Sequence, residues 1–327
     1  MPGSRRDEMF TLTRNVNFVL VPVTVKDSSS HLVDGLVRHD FAVYEEGVEQ
    51  PITYFTSDPF PLSAAVVVDT GLPEITLRKV KQTFSALAGA FSQFDEISIF
   101  SFGGTVEQII DFTPVNDRVS QAMQRLKSRS GTGGVPVIGG PLGSGPTVNG
   151  RPADPGAPHV HTAPKEGHVL NDAILAAALQ LSKTSRDRRR ILFIISDGRE
   201  SSSNASYSDV LKVLLSHEIS VYAVVVGADA VPGYGTLDKF RIPVIGTGNI
   251  LPKYASATAG GVFTEFSRQA IESAYARVTG EARNQYTLGY TTRATAASNY
   301  RTIEVKVHHG GLKVYAREGY YPLPPGR

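Results

Sequence analysis

Two apolar runs in this chain each close on a single aspartate. The first is Ala64-Ala65-Val66-Val67-Val68-Asp69, followed by Thr70-Gly71. The second is Ile191-Leu192-Phe193-Ile194-Ile195-Ser196-Asp197, followed by Gly198. Near-continuous apolar runs of this length read as central strands of a parallel sheet with helices on both faces. Open α/β sheets bind their ligands outside the carboxyl ends of the strands, where the strand order reverses. Asp69 and Asp197 are therefore expected on one rim, where such a sheet keeps its chemistry. Each carboxylate also has a structural use, accepting backbone N–H groups of the tight turn that follows it.

Catalytic patterns are weaker. Hydrolysis needs a nucleophile, a base and an orienting acid in mutual reach. The chain has no Gly-x-Ser-x-Gly elbow, and Ser196 lies in a strand end rather than on a sharp turn after one. No Gly-x-Gly-x-x-Gly follows a strand and no Walker-type Gly-Lys-Ser/Thr occurs; Gly131 to Gly134 follows a helix. With no cysteine there is no disulfide, thiolate nucleophile or thiolate metal site.

The elements that would carry the two aspartates separate by periodicity into three regions. Residues 10–57 alternate: Val19, Val21, Val23 and Val25 face one way, Phe18, Leu20, Pro22 and Thr24 the other. Residues 62–282 alternate strand and helix. Leu77, Val80, Phe84, Leu87 and Phe91 mark one amphipathic helix, and Val119, Met123 and Leu126 a second. Further helices are marked by Leu170 to Leu181, Val210 to Leu215, Tyr254 to Ala259, and Arg268 to Ala282. Repeated β-α units of this kind predict a doubly wound, mostly parallel sheet. Residues 284–322 return to strand alternation, with Gly310-Gly311 turning a hairpin. The few strands of either flank make a poor core alone, so both flanks are expected to pair into one β-sandwich-like domain, 10–60 with 284–322, with the α/β domain inserted between them.

Between Ser130 and Glu166, 16 of 37 residues are Gly or Pro, with no periodic apolar face. This stretch reads as a mobile insertion. The 327 residues carry a formal net charge of +2 with the signs interspersed, which is not the basic stripe of a nucleic-acid binder. The densest basic run, Arg186-Asp187-Arg188-Arg189-Arg190, reads as a solvated turn. No apolar run approaches the ~20 residues of a membrane span. Met1 to Asp7 is polar and lacks the pattern of a signal peptide, so the protein is expected to be cytoplasmic or to begin downstream of a removed leader.

The stretch 62–280 resembles a von Willebrand factor type A domain. Over about residues 15–322 the whole chain is similar to the VWFA-related proteins of Acidobacteria. Leu36 to Gln50 (LVRHDFAVYEEGVEQ) looks like that family's hairpin, and Tyr286 to Tyr321 like its closing strands. The resemblance implies a non-enzymatic protein-binding or adhesion-type module. It also implies an extracytoplasmic location, since such proteins often carry leaders. Ligand binding in A domains runs through a metal-ion-dependent adhesion site: D-x-S-x-S after the first strand, a Thr from a later loop, and an Asp after the fourth strand. Such a site offers Mg²⁺ near-octahedral oxygen ligands and leaves one position for a partner's carboxylate.

Aligned in this way, Asp69 fills the first position, but Gly71 and Pro73 stand where the serines should be. His168, in Gly167-His168-Val169-Leu170-Asn171-Asp172-Ala173, replaces the Thr, and Asp197 matches the last Asp. Two of five ligand positions survive, so the site reads as degenerate, and no cofactor is expected. The docking rim would then be Asp69, Thr70, Gly71, His168, Asp197 and Gly198. Leu72, Glu74, Arg199, Glu200 and the Ser201–Asn204 loop would lie beside it, and the partner is expected to be a protein. The alternative is a mixed set of Asp69, Asp197 and His168, with His159 and His161 nearby, suited to zinc or another transition metal. Against it, His168 is expected to cap a helix and the other two to be solvated.

Overall fold

The computed structural model describes residues 17–124, 126, 147–148, 151–152, 167–226, 249–265, 267–294 and 299–322. The chain divides into two compact units, Asp58–Gln285, and Met1–Ser57 with Tyr286–Arg327.

The second of these opens with β1 (Asn17–Lys26), whose Val19, Val21, Val23 and Val25 are buried while Phe18 is half exposed. β2 (Phe41–Glu45) and β3 (Val48–Gln50) form a hairpin. Glu46 and Gly47, both at positive φ, make its two-residue turn, as hairpin twist demands. β4 (Tyr54–Thr56) follows.

The α/β unit begins with β5 (Leu62–Asp69), then α1 (Glu74–Gln82), α2 (Phe84–Ala90), β6 (Glu96–Phe102), β7 (Val106–Pro114) and α3 (Asp117–Gln124). A two-residue pair, β8 (Thr147–Val148) with β9 (Arg151–Pro152), lies in the Gly/Pro-rich stretch. The rest of that stretch, His159 and His161 included, is outside the described residues. α4 (Leu170–Leu181), β10 (Arg189–Ser196), α5 (Tyr207–Ser216), β11 (Ile219–Val225), α6 (Leu251–Ala257), β12 (Gly261–Thr264) and α7 (Arg268–Arg283) complete the unit.

Its sheet runs β12-β11-β10-β5-β6-β7. Every pair is parallel except β7 against β6. Every residue of β5 and β10 is buried, because both faces of the sheet are covered. Leu62, Ala64, Val66 and Val68 pack with α1, α2, α3 and α7, while Ala65 and Val67 pack with α4, α5 and α6. Numbered within this sheet alone, the order is 3-2-1-4-5-6, so the reversal falls between β5 and β10.

Two expectations are corrected. The helix read from Leu77 to Phe91 is two helices, broken at Thr83. The Thr83 hydroxyl donates to Val80 O at 2.7 Å and shares a 2.7 Å hydrogen bond with Tyr275 Oη on α7. The basic run is not a solvated turn throughout: Arg189 and Arg190 open β10 and are buried. Arg189 donates to Gln285 O and lies over the Phe60 ring, and Arg190 donates to Thr184 O and His217 O. The sequence shows the charges but not the carbonyls that receive them.

At the same end of the sheet, the buried Asp95 carboxylate accepts Leu62 N at 2.8 Å and Ser92 N at 2.7 Å, and pairs with the Arg283 guanidinium. It joins the start of β5, the loop before β6 and the end of α7.

The closing flank supplies β13 (Tyr286–Thr292), β14 (Arg301–Val307), β15 (Lys313–Ala316) and β16 (Gly319–Tyr320). They complete two four-stranded antiparallel sheets, β15-β1-β13-β4 and β16-β14-β2-β3. The flanks interleave: Val23 of β1 lies opposite both Tyr286 of β13 and Ala316 of β15. Residues from both sheets share one buried cluster.

Within that cluster Glu45 is buried and accepts from Arg301 Nη2 at 2.8 Å, Thr292 Oγ1 at 2.9 Å and Tyr320 Oη at 3.1 Å. Burial pushes its pKa up, but these donors outweigh it and hold the carboxyl below its ordinary value. A depressed folded pKa means stability that is present above the unfolded value of about 4.3 and lost as pH falls through the folded one. Glu45→Gln is therefore expected to flatten the acid side of the stability profile and to cost about 1–3 kcal/mol at neutral pH. Urea unfolding followed by circular dichroism at pH 7 and near pH 3.5 checks this; an unchanged acid slope contradicts it.

Candidate functional site

β5 and β10 are adjacent and parallel, with Val68 opposite Ile195. Their carboxyl ends bring Asp69 and Asp197 to the same rim, at the reversal. Asp69 is fully buried. Its Oδ1 accepts Gly71 N at 2.9 Å and its Oδ2 accepts the Ser196 hydroxyl at 2.8 Å. Asp197 is nearly buried; its Oδ1 accepts Arg199 N at 3.0 Å, and its Oδ2 lies 3.5 Å from Arg199 Nε. Both aspartates thus brace their own turns. Thr70 is buried and tied to the end of β6: its N–H and its hydroxyl both donate to Phe102 O, at 2.7 and 2.8 Å.

Gly198 sits at φ +81°, and a Cβ there would lie 2.2 Å from Asn249 Oδ1. Asn249 Oδ1 in turn accepts Leu251 N at the start of α6. Gly198→Ala is expected to cost about 1–3 kcal/mol, through left-handed backbone strain and displacement of Asn249. A chemical-denaturation curve measures this; a variant as stable as the parent contradicts it.

His168 does not cap α4, whose N-cap is Val169. The opening N–H groups of that helix go to a distant loop instead: Asn171 N to Glu200 Oε2 at 2.7 Å, and Asp172 N to Ser203 Oγ at 3.1 Å. Asp172 returns the favour, accepting Asn204 N and Ala205 N at 3.0 and 2.8 Å. The same loop pins the backbone of His168, whose N donates to Ser201 Oγ at 3.0 Å and whose O accepts Ser201 N at 3.0 Å. The imidazole is left to face the aspartates. Its Nδ1 lies 3.7 Å from Asp69 Oδ2, within ion-pair range but too far for a hydrogen bond, and is buried with no hydrogen-bond partner. One ligand atom each from Asp69, His168 and Asp197 fall within 4.8 Å of one another.

Gly71 makes room for this ring. A Cβ at position 71 would lie 3.2 Å from His168 Cε1 and 3.2 Å from Asp69 Oδ1. The Asp69 carboxylate raises the His168 pKa against the opposing effect of burial. Burial raises the Asp197 carboxyl, and the nearby Asp69 charge adds to it.

Mg²⁺ does not fit this arrangement. It demands oxygen ligands in near-ideal octahedral geometry. Here the first serine position is a glycine pressed against an imidazole, Pro73 carries no oxygen on its side chain, and the Thr position offers nitrogen.

Of the other rim positions, Leu72 is fully buried. Glu200 is occupied, since besides Asn171 N it accepts Ser202 N, Ser203 N and Ser203 Oγ. Glu74, Arg199, Ser201, Ser202 and Asn204 are exposed. So is Ile75, 69% exposed in the first turn of α1, which sequence reasoning missed. The roles of Asp172 and Asn249 were missed too, because their partners lie roughly 30 and 50 residues away along the chain.

An antiparallel edge strand on an otherwise parallel sheet, in the order 3-2-1-4-5-6, is consistent with a von Willebrand factor A-like fold. Solved structures similar to the chain include the conserved hypothetical protein BatB from Bacteroides thetaiotaomicron, at 15% identity and TM-score 0.43, covering 67% of this chain and 99% of that one. The von Willebrand factor type A protein from Catenulispora acidiphila covers 93% of this chain and 72% of its own, at 7% identity and TM-score 0.47. The SpRpn10 VWA domain matches at 9% identity and TM-score 0.38, over 65% of this chain and 93% of that one. No family model matches the sequence, and no curated protein matches it. No helix among the described residues is long and apolar enough to cross a membrane.

Proposed function

We propose that this chain is a non-enzymatic protein-binding module that docks a protein partner on the carboxyl-end rim of its central sheet, without Mg²⁺. The observation that carries this reading is the packing of His168 against Gly71, which fills with an imidazole the space an adhesion site gives to hydroxyls. The exposed surface around it, formed by Glu74, Ile75, Arg199, Ser202 and Asn204, would meet the partner.

The site is poorly arranged for hydrolysis. Ser196 is fully buried and its hydroxyl donates to Asp69 while accepting Gly198 N, so no base holds its oxygen ready for attack. The test is affinity capture from an extract of the source organism, comparing the parent chain with Arg199→Glu/Asn204→Arg, each with and without added MgCl₂. The expected result is one set of captured proteins that the double variant loses and that MgCl₂ leaves unchanged. Capture that requires Mg²⁺, or that survives the double variant, overturns the reading.

A further inference from the structure

We propose that Asp69, His168 and Asp197 bind a divalent transition-metal ion of the zinc type, with one coordination position left open. This inference does not depend on the docking reading. It stands on an observation the degenerate adhesion motif does not explain: a polar nitrogen, His168 Nδ1, buried without a hydrogen bond and aimed at two buried carboxylates. An unpaired buried nitrogen of this kind costs free energy, and a metal ligand bond removes that cost.

The donor set suits such an ion. Imidazole with carboxylates is a zinc-type environment, whereas Mg²⁺ takes oxygen. Ligands about 2.1 Å from a tetrahedral zinc lie about 3.4 Å apart. His168 Nδ1 and Asp69 Oδ2 are already 3.7 Å apart, and the Asp197 oxygen completes a group whose members all lie within 4.8 Å. Charge agrees as well: two carboxylates and a neutral imidazole around a divalent ion sum to zero. That sum relieves the repulsion between carboxylates buried side by side. Three protein ligands with an open fourth position is the pattern of sites that take an exogenous donor.

The carboxylates are also held from behind, as metal ligands are. Gly71 N and the Ser196 hydroxyl orient Asp69, and Arg199 N orients Asp197. The Arg199 side chain, 53% exposed and 3.5 Å from Asp197 Oδ2, is the cation that would yield its place. Gly71 is part of the device, since a side chain there would meet the imidazole.

The test uses the purified full chain, stripped with a chelator and dialysed. Zinc chloride is titrated calorimetrically, with magnesium chloride in parallel. Cobalt(II) is then added and its visible absorption recorded, which reports coordination directly. Three variants accompany the parent: His168→Ala, Asp197→Asn and His159→Ala/His161→Ala. The expected result is one zinc per chain, a raised thermal transition, a cobalt d–d band and no response to Mg²⁺. His168→Ala and Asp197→Asn should each weaken zinc by more than ~10-fold with unchanged circular dichroism, since removing even an outer-shell partner of a ligand costs about that much. The paired loop variant should bind as the parent does. No zinc heat in the parent overturns the proposal. So does zinc binding that survives both His168→Ala and Asp197→Asn, or that disappears in His159→Ala/His161→Ala. Because partner capture plays no part in these measurements, their failure leaves the docking reading standing.

Discussion

A chain carrying Gly71→Ser, Pro73→Ser and His168→Thr is expected to gain Mg²⁺-dependent stability that the parent lacks. The three changes return hydroxyls to the positions where an adhesion site needs them, and the pair Asp69 and Asp197 is already at the rim. They must be made together. A Cβ at position 71 lies 3.2 Å from the His168 ring, so Gly71→Ser alone meets the imidazole, and the smaller Thr at 168 removes that obstacle. Pro73 is the N-cap of α1 and makes no side-chain cap bond, so Ser is favoured there on its own account. At a hundredfold excess of Mg²⁺ over its dissociation constant the stabilisation is about 2.7 kcal/mol. For a unit of this size that is a rise of roughly 5–10 °C in the thermal transition. The measurement is a melting curve with and without MgCl₂ for the parent, the triple variant and Gly71→Ser alone. A folded triple variant that ignores Mg²⁺ would show that the surrounding backbone, not the missing hydroxyls, disables the site.

The second large effect is on stability. Asp95→Ala is expected to destabilise the α/β unit by about 3–5 kcal/mol, from two buried backbone N–H groups left without an acceptor and the loss of a partly buried charge pair. The substitution leaves Leu62 N and Ser92 N without their acceptor, and the Arg283 guanidinium without its partner. Asp95→Asn keeps the shape and one acceptor oxygen, and should lose less. Denaturation curves for the two variants separate the terms. Equal losses would mean that the charge contributes little beyond its hydrogen bonds.

The elements that carry the aspartates are legible because burial on both faces leaves an unbroken apolar run, as in β5 and β10, and burial on one face leaves an alternation, as in β1. The reversal of strand order follows from repeated β-α units. The break at Thr83 is not legible, since Leu77, Val80, Phe84, Leu87 and Phe91 keep helical spacing straight through it. At the break the Thr83 hydroxyl bonds to Val80 O and to Tyr275, and Tyr275 is 192 residues away. The site divides the same way. The expected position of His168 near the strand ends comes from the resemblance of its loop, Gly167 to Ala173, to the adhesion-site motif. The orientation of its ring cannot, because it depends on Ser201, Glu200 and Ser203 taking over the backbone of that loop and the cap of α4. The burial of Arg189 and Arg190 is hidden for a related reason: Gln285 O and His217 O, two of the carbonyls that receive them, lie in other segments.

The interleaved flanks set a timetable for synthesis. β1 leaves the ribosome ahead of the α/β unit, and Tyr286, which pairs with Val23, follows 263 residues later (286 minus 23). At ~5–20 residues per second that is an interval of roughly 13–50 s. Throughout it a valine-rich strand has both edges open, the condition under which nascent chains stick to one another. The α/β unit is continuous and can condense during the wait, so a chaperone that shields β1 on the nascent chain should raise the yield of this protein far more than one that engages it after release.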